Sequence, residues 1–337
     1  MIKEAIAKLV EGIDLTQQEA EAVMGQVMEG EATPSQISAF LTALRIKGET
    51  VEEIAGCARA MRSSAIKVIT RPGQLVDTCG TGGDGAATFN ISTTVAFVAA
   101  GAGLSVAKHG NRAISSRCGS ADLLESLGVK IDLGPKEIAR CIEEVGIGFL
   151  FAPRLHPAMK HAIAPRREMG IRTIFNLLGP LTNPASATTQ LIGVYHPQLT
   201  ETLAQVLSLL GSHHAMIIHG ADSLDELSTS GTNKVTQLTN KEITTYHLDP
   251  LSLGLPQANL EQLRGGAPEE NARITLSILR GEGGPGRDVV LLNSAAVLVA
   301  AEKAPNFKAG ISLSAEAIDS GEALKKLEQL IRISQSL

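Results

Sequence analysis

The chain has only four cysteines in 337 residues, Cys57, Cys79, Cys118 and Cys141, and no two of them share a C-x-x-C spacing. That scatter argues against a zinc ribbon, a thioredoxin-type motif and a disulfide framework, and it is the usage expected in a reducing cytoplasm. Long hydrophobic runs are missing as well, because glycine interrupts each apolar stretch well short of a membrane span. The opening Met1-Ile2-Lys3-Glu4-Ala5 has no basic segment leading into an apolar one, so neither export nor membrane insertion is expected. There is no excess of positive charge: the formal net charge is −5. Such a chain has no general attraction to nucleic acid or to an anionic membrane, and a small anionic ligand gripped locally fits better. Internal repeats, low-complexity tracts and long linkers are absent too.

What is present is an ordinary 44% apolar content, enough for one large domain or for a large and a small one. The first seventy or so residues repeat one kind of punctuation. Thr16 with Glu19 and Thr50 with Glu53 have capping-box spacing, and Thr33-Pro34 is an N-cap followed by proline at the first helical position. Apolar residues fall at helical spacing at Val23 and Val27 and at Ile37, Phe40, Leu41 and Leu44, and Gly48 closes the third helix. No strand signal appears before Leu75. Residues 1–72 are therefore expected to form an all-helical domain, ending near Arg71-Pro72-Gly73.

From residue 73 to 337 short apolar strands alternate with helices, the pattern of an α/β domain with a mostly parallel central sheet. Strands are expected over 75–79, 104–107, 147–151, 190–195 and 215–219, with a hairpin over 234–247 turning at Thr239-Asn240-Lys241. Three helices, over 269–279, 288–304 and 314–333, are expected to close the chain.

The densest chemistry lies between Leu75 and Ser120. The first strand breaks into Gly80-Thr81-Gly82-Gly83-Asp84-Gly85, followed by Thr88-Phe89-Asn90-Ile91-Ser92-Thr93; a second loop runs from Lys108 through His109, Gly110 and Asn111 to Ser115, Ser116 and Ser120. Glycines let backbone N–H groups approach a phosphate, and a helix opening behind them adds unpaired donors. Two such loops suit a ligand with more than one phosphate, and both follow strands, at whose carboxyl ends open α/β sheets bind ligands. Gly80, Gly82 and Gly85 also satisfy G-x-G-x-x-G. The helix does not open at the last glycine, however, and the next strand ends at Lys108 where a dinucleotide site needs an acidic residue. Lysine would suit an extra phosphate, which leaves an NADP reading open. No Gly-Lys-Ser/Thr follows, which excludes a Walker loop.

The strings DTCGTGGDGAATFNIST (77–93), AKHGNRAISSRCGSADLLESLG (107–128), HPAMKHAIAPRREMGIRTIFNLLGPLTNP (156–184) and DSLDELS (222–228) together closely resemble the anthranilate phosphoribosyltransferases. The resemblance spans essentially the whole chain, with small departures at Ala86-Ala87 and Arg154-Leu155. It implies transfer of the phosphoribosyl group of phosphoribosyl pyrophosphate to the amine of anthranilate, with magnesium, in tryptophan biosynthesis. It also implies a nucleoside phosphorylase/phosphoribosyltransferase type of fold, a small helical domain joined by helices from about 157–180 beside the larger α/β domain. A homodimer formed through the helical part is implied too.

By that resemblance Gly80, Gly83, Asp84, Thr88, Asn90, Ile91, Ser92 and Thr93 would bind phosphoribosyl pyrophosphate, with Lys108, His109, Gly110, Asn111, Arg112, Ala113, Ile114, Ser115, Ser116 and Ser120 completing the cradle. Ser92, Asp225 and Glu226 match the metal positions, and magnesium takes oxygen ligands of this kind. Arg166 matches the acceptor-binding arginine, and its planar fork suits a carboxylate. Gly80, Asn111 and a turn at Gly179-Pro180 would line the same anthranilate pocket. His109 reads either as a residue that orients the acceptor or relays its proton, or as a hydrogen-bonded structural histidine. The aniline-type amine of the acceptor is neutral near pH 7, so no strong base is required. The other histidines, His156, His161, His213, His214 and His219 among them, lack zinc-site spacing. Two rivals stand beside this reading: a pyrimidine nucleoside phosphorylase of the same fold, and a non-catalytic homologue that binds nucleic acid. The mildly acidic chain and its Asp225-Glu226 pair disfavour the second.

Overall fold

The computed structural model describes residues 1–71, 73–113 and 117–337, so Ile114, Ser115 and Ser116 lie outside the described residues. Helices Ile2–Val10, Gln17–Glu29, Pro34–Lys47 and Val51–Ser64 form the N-terminal unit. Thr16–Glu19 and Thr50–Glu53 close reciprocal capping boxes, as does Thr33 with Gln36. Glu53 has a second task. It is fully buried, its carboxylate accepting from the backbone of Leu15 (2.9 Å) and Thr50 (2.8 Å) and facing Lys47 Nζ at 3.1 Å. Partners of this kind are what make a buried carboxylate tolerable, and here they tie the entry of the second helix to the start of the fourth.

Helix Lys160–Met169 packs on the second and third of these helices, and helix Leu199–Leu209 on the fourth. Arg62 donates to the carbonyls of Leu181 (2.7 Å) and Leu210 (3.3 Å) across that junction. One hydrophobic cluster consequently runs from Phe40 and Leu41 through Leu178 to Ile192 and Ile217 in the sheet.

The sheet contains β1 (Val76–Gly80), β2 (Val106–Gly110), β3 (Ile147–Phe151), β4 (Thr189–Gly193), β5 (His214–His219), β6 (Asn233–Thr239) and β7 (Glu242–Leu248). Their order is β3-β2-β1-β4-β5-β6-β7; the first five run parallel, and the expected hairpin forms the antiparallel edge. Asn240 and Lys241, both at positive φ (50° and 76°), make the tight turn that a two-residue hairpin demands. Helices Ile91–Gly101 and Pro285–Ala300 are apolar almost all round and lie buried between the sheet and the outer helices Phe307–Asp319 and Glu322–Ser336.

Two expectations need correction. The helix expected over 314–333 is two helices, because Gly321 takes a left-handed φ of 79° and turns the chain between them. The second strand does not stop at Ala107 but continues to Gly110, its parallel ladder pairing Lys108 with Phe149 and His109 with Leu150. Sheet pairing overrides the poor strand character of that polar pair and draws both side chains inward. Near the centre of the sheet the strand order reverses: β1 has β2 on one side and β4 on the other. Ligands of open α/β sheets bind at such a switch point.

Candidate active site

β1 ends at Gly80, pressed against the segment that follows β5: a Cβ there would fall 2.5 Å from Asp225 Oδ2. Gly82, Gly83 and Gly85 then take φ values of 67°, 81° and 75°, open at little cost only to glycine. The loop is fastened by Thr81 N to Gly193 O (2.9 Å), Gly82 N to Asp225 Oδ2 (2.7 Å) and Tyr195 N to Thr81 Oγ1 (3.3 Å). Asp84 accepts from the backbone of Ala86 (3.1 Å) and Asp225 (3.5 Å), and Thr88 bridges to Arg264.

Asn90 occupies the N-cap of helix Ile91–Gly101 without capping it; its amide donates to Cys118 O (3.0 Å) and its carbonyl accepts from Asn271 (2.9 Å). One side chain thereby joins the two glycine loops. Ile91 is buried, and Ser92 donates its backbone N–H to Glu226 Oε1 at 3.2 Å while its carbonyl accepts from Thr78 Oγ1 at 2.9 Å. The buried Thr93 hydroxyl has no partner among the described residues, and Thr93 and Lys108 border a cavity of about 10 Å³, room for roughly one water.

Lys108 lies inward, 3% exposed, its Nζ donating to Thr78 O, and burial lowers its pKa against the pull of nearby Asp77. Asp77, fully buried, accepts from His109 N (3.1 Å) and Asn183 Nδ2 (2.8 Å). His109 Nδ1 faces the carbonyl of Gly179 at 3.2 Å; a carbonyl only accepts, so the ring proton sits on Nδ1. Its Nε2 is left as a buried acceptor with no partner among the described residues. Burial and then His156, whose ring centre is 5.1 Å away, push the His109 pKa down to about 3, so the ring is neutral at physiological pH.

Beyond Gly110, Asn111 O accepts from Ser120 Oγ (3.2 Å), and Asp122 Oδ2 accepts from the backbones of Ala113 and Gly119 (2.9 Å each). The Arg112 guanidinium is engaged by Glu125 (2.5 Å) and Asp122 (3.0 Å). Glu125 and then Asp122 raise its pKa.

Asp225 is half-buried, and burial followed by repulsion from Asp84 lifts its pKa to about 7. Glu226 is 9% exposed and raised as well, by burial and then by Asp225, with Lys108 opposing. The fold therefore disfavours the charged forms of both acids, which accept from the backbone N–H groups of Gly82 and Ser92. In helix Lys160–Met169, Arg166 stacks 4.9 Å from the Phe175 ring centre; burial lowers its pKa, and it has no acidic partner among the described residues. Gly179 and Pro180, expected as a turn, lie in the last turn of helix Phe175–Leu181. Thr182 Oγ1 satisfies the carbonyls of Leu178 (3.0 Å) and Gly179 (3.3 Å), and Gln190 Nε2 that of Pro180 (2.7 Å), which closes acceptors that the helix end leaves open.

The family described as “Glycosyl transferase family, helical bundle domain” matches residues 3–65, and “Glycosyl transferase family, a/b domain” matches residues 72–324. Anthranilate phosphoribosyltransferase of Symbiobacterium thermophilum is 56% identical, covering 100% of this chain and 98% of the relative; that of Moorella thermoacetica is 57% identical, covering 98% of each. The chain belongs to the anthranilate phosphoribosyltransferase family. The Thermus thermophilus anthranilate phosphoribosyltransferase superposes with a TM-score of 0.94 at 45% identity, covering 98% of this chain and 99% of the other. The Saccharomyces cerevisiae anthranilate phosphoribosyltransferase, solved in complex with PRPP and Mg, superposes at 0.91 with 31% identity, covering 100% and 98%.

In this anthranilate phosphoribosyltransferase family member, Gly80, Asp84, Ser92, Asp225 and Glu226 are gathered at the ends of β1 and β5. Several residues of the site are not signalled by motif spacing. Asp77 could have been noticed as a charge inside an apolar strand, since such charges are buried only when paired. Arg172 and Asn183 lie inside the string 156–184 but carry no signal of their partners there, and Asn271 and Tyr195 lie outside the quoted strings; all four come from distant segments and meet the loops only after folding.

Proposed function

We propose that this chain transfers the 5-phosphoribosyl group of phosphoribosyl pyrophosphate to the amine of anthranilate, releasing pyrophosphate, as a step of tryptophan biosynthesis. The observation that carries the reading is the pair of glycine loops on adjacent parallel strands, joined by Asn90, with Asp225 and Glu226 folded across the first of them. In the reaction the bond from C1 to the pyrophosphate oxygen breaks, a bond from the amine nitrogen to C1 forms, and the nitrogen gives up a proton. Positive charge spreads over C1 and the ring oxygen on the way, so the protein's work is to hold the departing anion and to place the nucleophile.

The first loop (Gly80, Gly83, Asp84, Thr88 and Asn90 to Thr93) would hold the sugar diphosphate through backbone N–H groups and hydroxyls, with Lys108 to Ser116 and Ser120 closing the cradle. Arg166, a half-buried cation without an acid among the described residues, would take the anthranilate carboxylate beside Gly80, Asn111, Gly179 and Pro180. His109, neutral with a bare Nε2, can accept a hydrogen bond but is a weak base, in keeping with an amine that is already nucleophilic.

Ser92, Asp225 and Glu226 would hold magnesium. No three His, Cys, Asp or Glu side chains among the described residues gather into a closed metal site. That fits magnesium, which takes one or two carboxylates and fills its shell with substrate phosphate and water. Burial first and mutual repulsion second disfavour the charged forms of Asp225 and Glu226, and a cation beside them would favour those forms. When bound, the ion would neutralise charge on the leaving pyrophosphate.

We place the helical domain at residues 1–72 with helices from about 157–180, and the α/β domain at 73–337. The helical part would form a homodimer, an arrangement that would give cover to its exposed Val10, Ile13 and Ile46. A cytoplasmic setting suits the free thiols of Cys57, Cys79 and Cys141. No helix among the described residues is long and apolar enough to cross a membrane.

The test is the fading of anthranilate fluorescence as substrate is consumed, with phosphoribosyl pyrophosphate and magnesium present or singly withheld. Consumption should need all components. Inert anthranilate together with phosphate-dependent cleavage of a pyrimidine nucleoside would turn the assignment to the phosphorylase.

A further inference from the structure

Arg172 links the segment between two helices to the first glycine loop. It follows the left-handed Gly170 that ends helix Lys160–Met169 and precedes helix Phe175–Leu181, so its backbone lies between the helices that carry Arg166 and Gly179. Its side chain crosses to the loop. The guanidinium carbon lies 4.3 Å from the centre of the Tyr195 ring, and Nη2 donates to the carbonyl of Gly83. A Cβ on Gly83 would come within 3.1 Å of Nη2, 3.2 Å of Cζ and 3.3 Å of Nε, so the planar fork covers that α-carbon along its width. Tyr195 is fastened to the same loop through its backbone N–H on Thr81 Oγ1, at 3.3 Å.

A segment with positive φ at Gly82, Gly83 and Gly85 has much conformational freedom to lose when it closes around a ligand. Pinning it beforehand removes that cost from binding. A delocalised, planar cation stacked on an aromatic ring is a stiff pin, and lysine cannot copy its shape.

We propose that Arg172 is a positioning residue that couples the acceptor-side segment to the donor loop: held on Tyr195 and Gly83, it sets the glycine loop in shape for phosphoribosyl pyrophosphate. The proposal rests on the assignment of that loop to phosphoribosyl pyrophosphate made above. Because binding linkage is reciprocal, the same tie makes the apparent affinity for each substrate depend on the other.

The experiment is an initial-rate surface with both substrates varied, for the wild type and for Arg172→Ala, Arg172→Lys, Tyr195→Ala, Tyr195→Phe, Gly83→Ala and the double alanine variant at 172 and 195. Arg172→Ala and Tyr195→Ala should each raise the KM for phosphoribosyl pyrophosphate about tenfold, some 1.4 kcal/mol. The double variant should be no worse than the poorer single one, since both act through one contact. Tyr195→Phe, which keeps the ring, should stay close to the wild type, while Arg172→Lys should fail to rescue. The interaction between the two substrates in the rate surface should shrink in Arg172→Ala; a residue that merely supports the fold would lower the melting temperature and leave that surface unchanged. An unaltered phosphoribosyl pyrophosphate KM in Arg172→Ala, with Gly83→Ala impaired, overturns the positioning role and leaves the loop assignment standing. If Gly83→Ala is unimpaired as well, the loop assignment itself falls, and this proposal with it.

Discussion

Replacing Arg166 by methionine should separate activity from stability. In the free protein the guanidinium is half-buried, stacks on Phe175 at 4.9 Å and has no acidic partner among the described residues, and burial lowers its pKa. A base whose folded pKa is lowered is one whose charge the fold disfavours. Arginine stays protonated in both states at neutral pH, so this penalty is present throughout the working range. Arg166→Met keeps most of the stem, forfeits a cation–π contact of about 0.5–1 kcal/mol and relieves the unpaired charge. The two effects oppose, and the melting temperature should shift by no more than a few degrees. Binding is the other side of the balance. A hydrogen bond to a charged group contributes about 1.5–3 kcal/mol, so the anthranilate KM should rise by roughly 10- to 150-fold at saturating phosphoribosyl pyrophosphate. Steady-state fluorescence of anthranilate and a thermal melt on the same sample measure both quantities. A loss confined to phosphoribosyl pyrophosphate affinity would refute the assignment, and a variant that no longer folds would refute the stability argument.

Asp225→Asn combined with Glu226→Gln should raise the magnesium requirement and lower turnover, and a magnesium titration that superposes on the wild type would count against both residues. For His109 and His156 the folded pKa values, about 3 and about 4, lie below the ordinary 6.5, so stability is full above pH 6.5 and is lost as pH falls toward the folded values. Urea unfolding at pH 7 and pH 5 should show a decline of at most about 1.4 kcal/mol per pH unit for each ring. The His109→Asn, His156→Asn variant should flatten that decline; an unchanged slope would show that other groups cause it. Glu53→Ala strands the buried N–H of Leu15 and the part-buried N–H of Thr50, while Lys47 keeps Asp14 at 2.6 Å, and should cost about 2–4 kcal/mol by urea unfolding. A cost under about 1 kcal/mol would mean that the loop before the second helix is satisfied by water.

The helical start was legible because caps are local: Thr16, Thr33 and Thr50 each meet a partner three residues on. The first glycine loop was legible for the same reason, since backbone sterics select glycine at Gly82, Gly83 and Gly85 position by position. The extension of β2 was not, because Lys108 and His109 are poor strand formers whose place depends on pairing with Phe149 and Leu150, each 41 residues further on. Nor was the split of the last expected helix, where apolar spacing continues across Gly321 and only the left-handed backbone shows the break. Among site residues, Asp225 and Glu226 are an ordinary acidic pair until the chain after β5 folds over Gly80 and brings them onto Gly82 and Ser92.

By itself the sequence determined what depends on neighbours along the chain: the helical beginning, the alternation that makes a parallel sheet, the glycines of the first loop and the motifs that name the family. Tertiary structure alone decided which charges are paired and which are stranded. It sank Lys108 onto Thr78, occupied Arg112 with Glu125, left Arg166 without an acid among the described residues and stretched Arg172 onto Gly83. The physical reason is that the chemistry of a charged side chain follows from its burial and its partners, and both are contributed by segments that folding brings together from far apart in the chain.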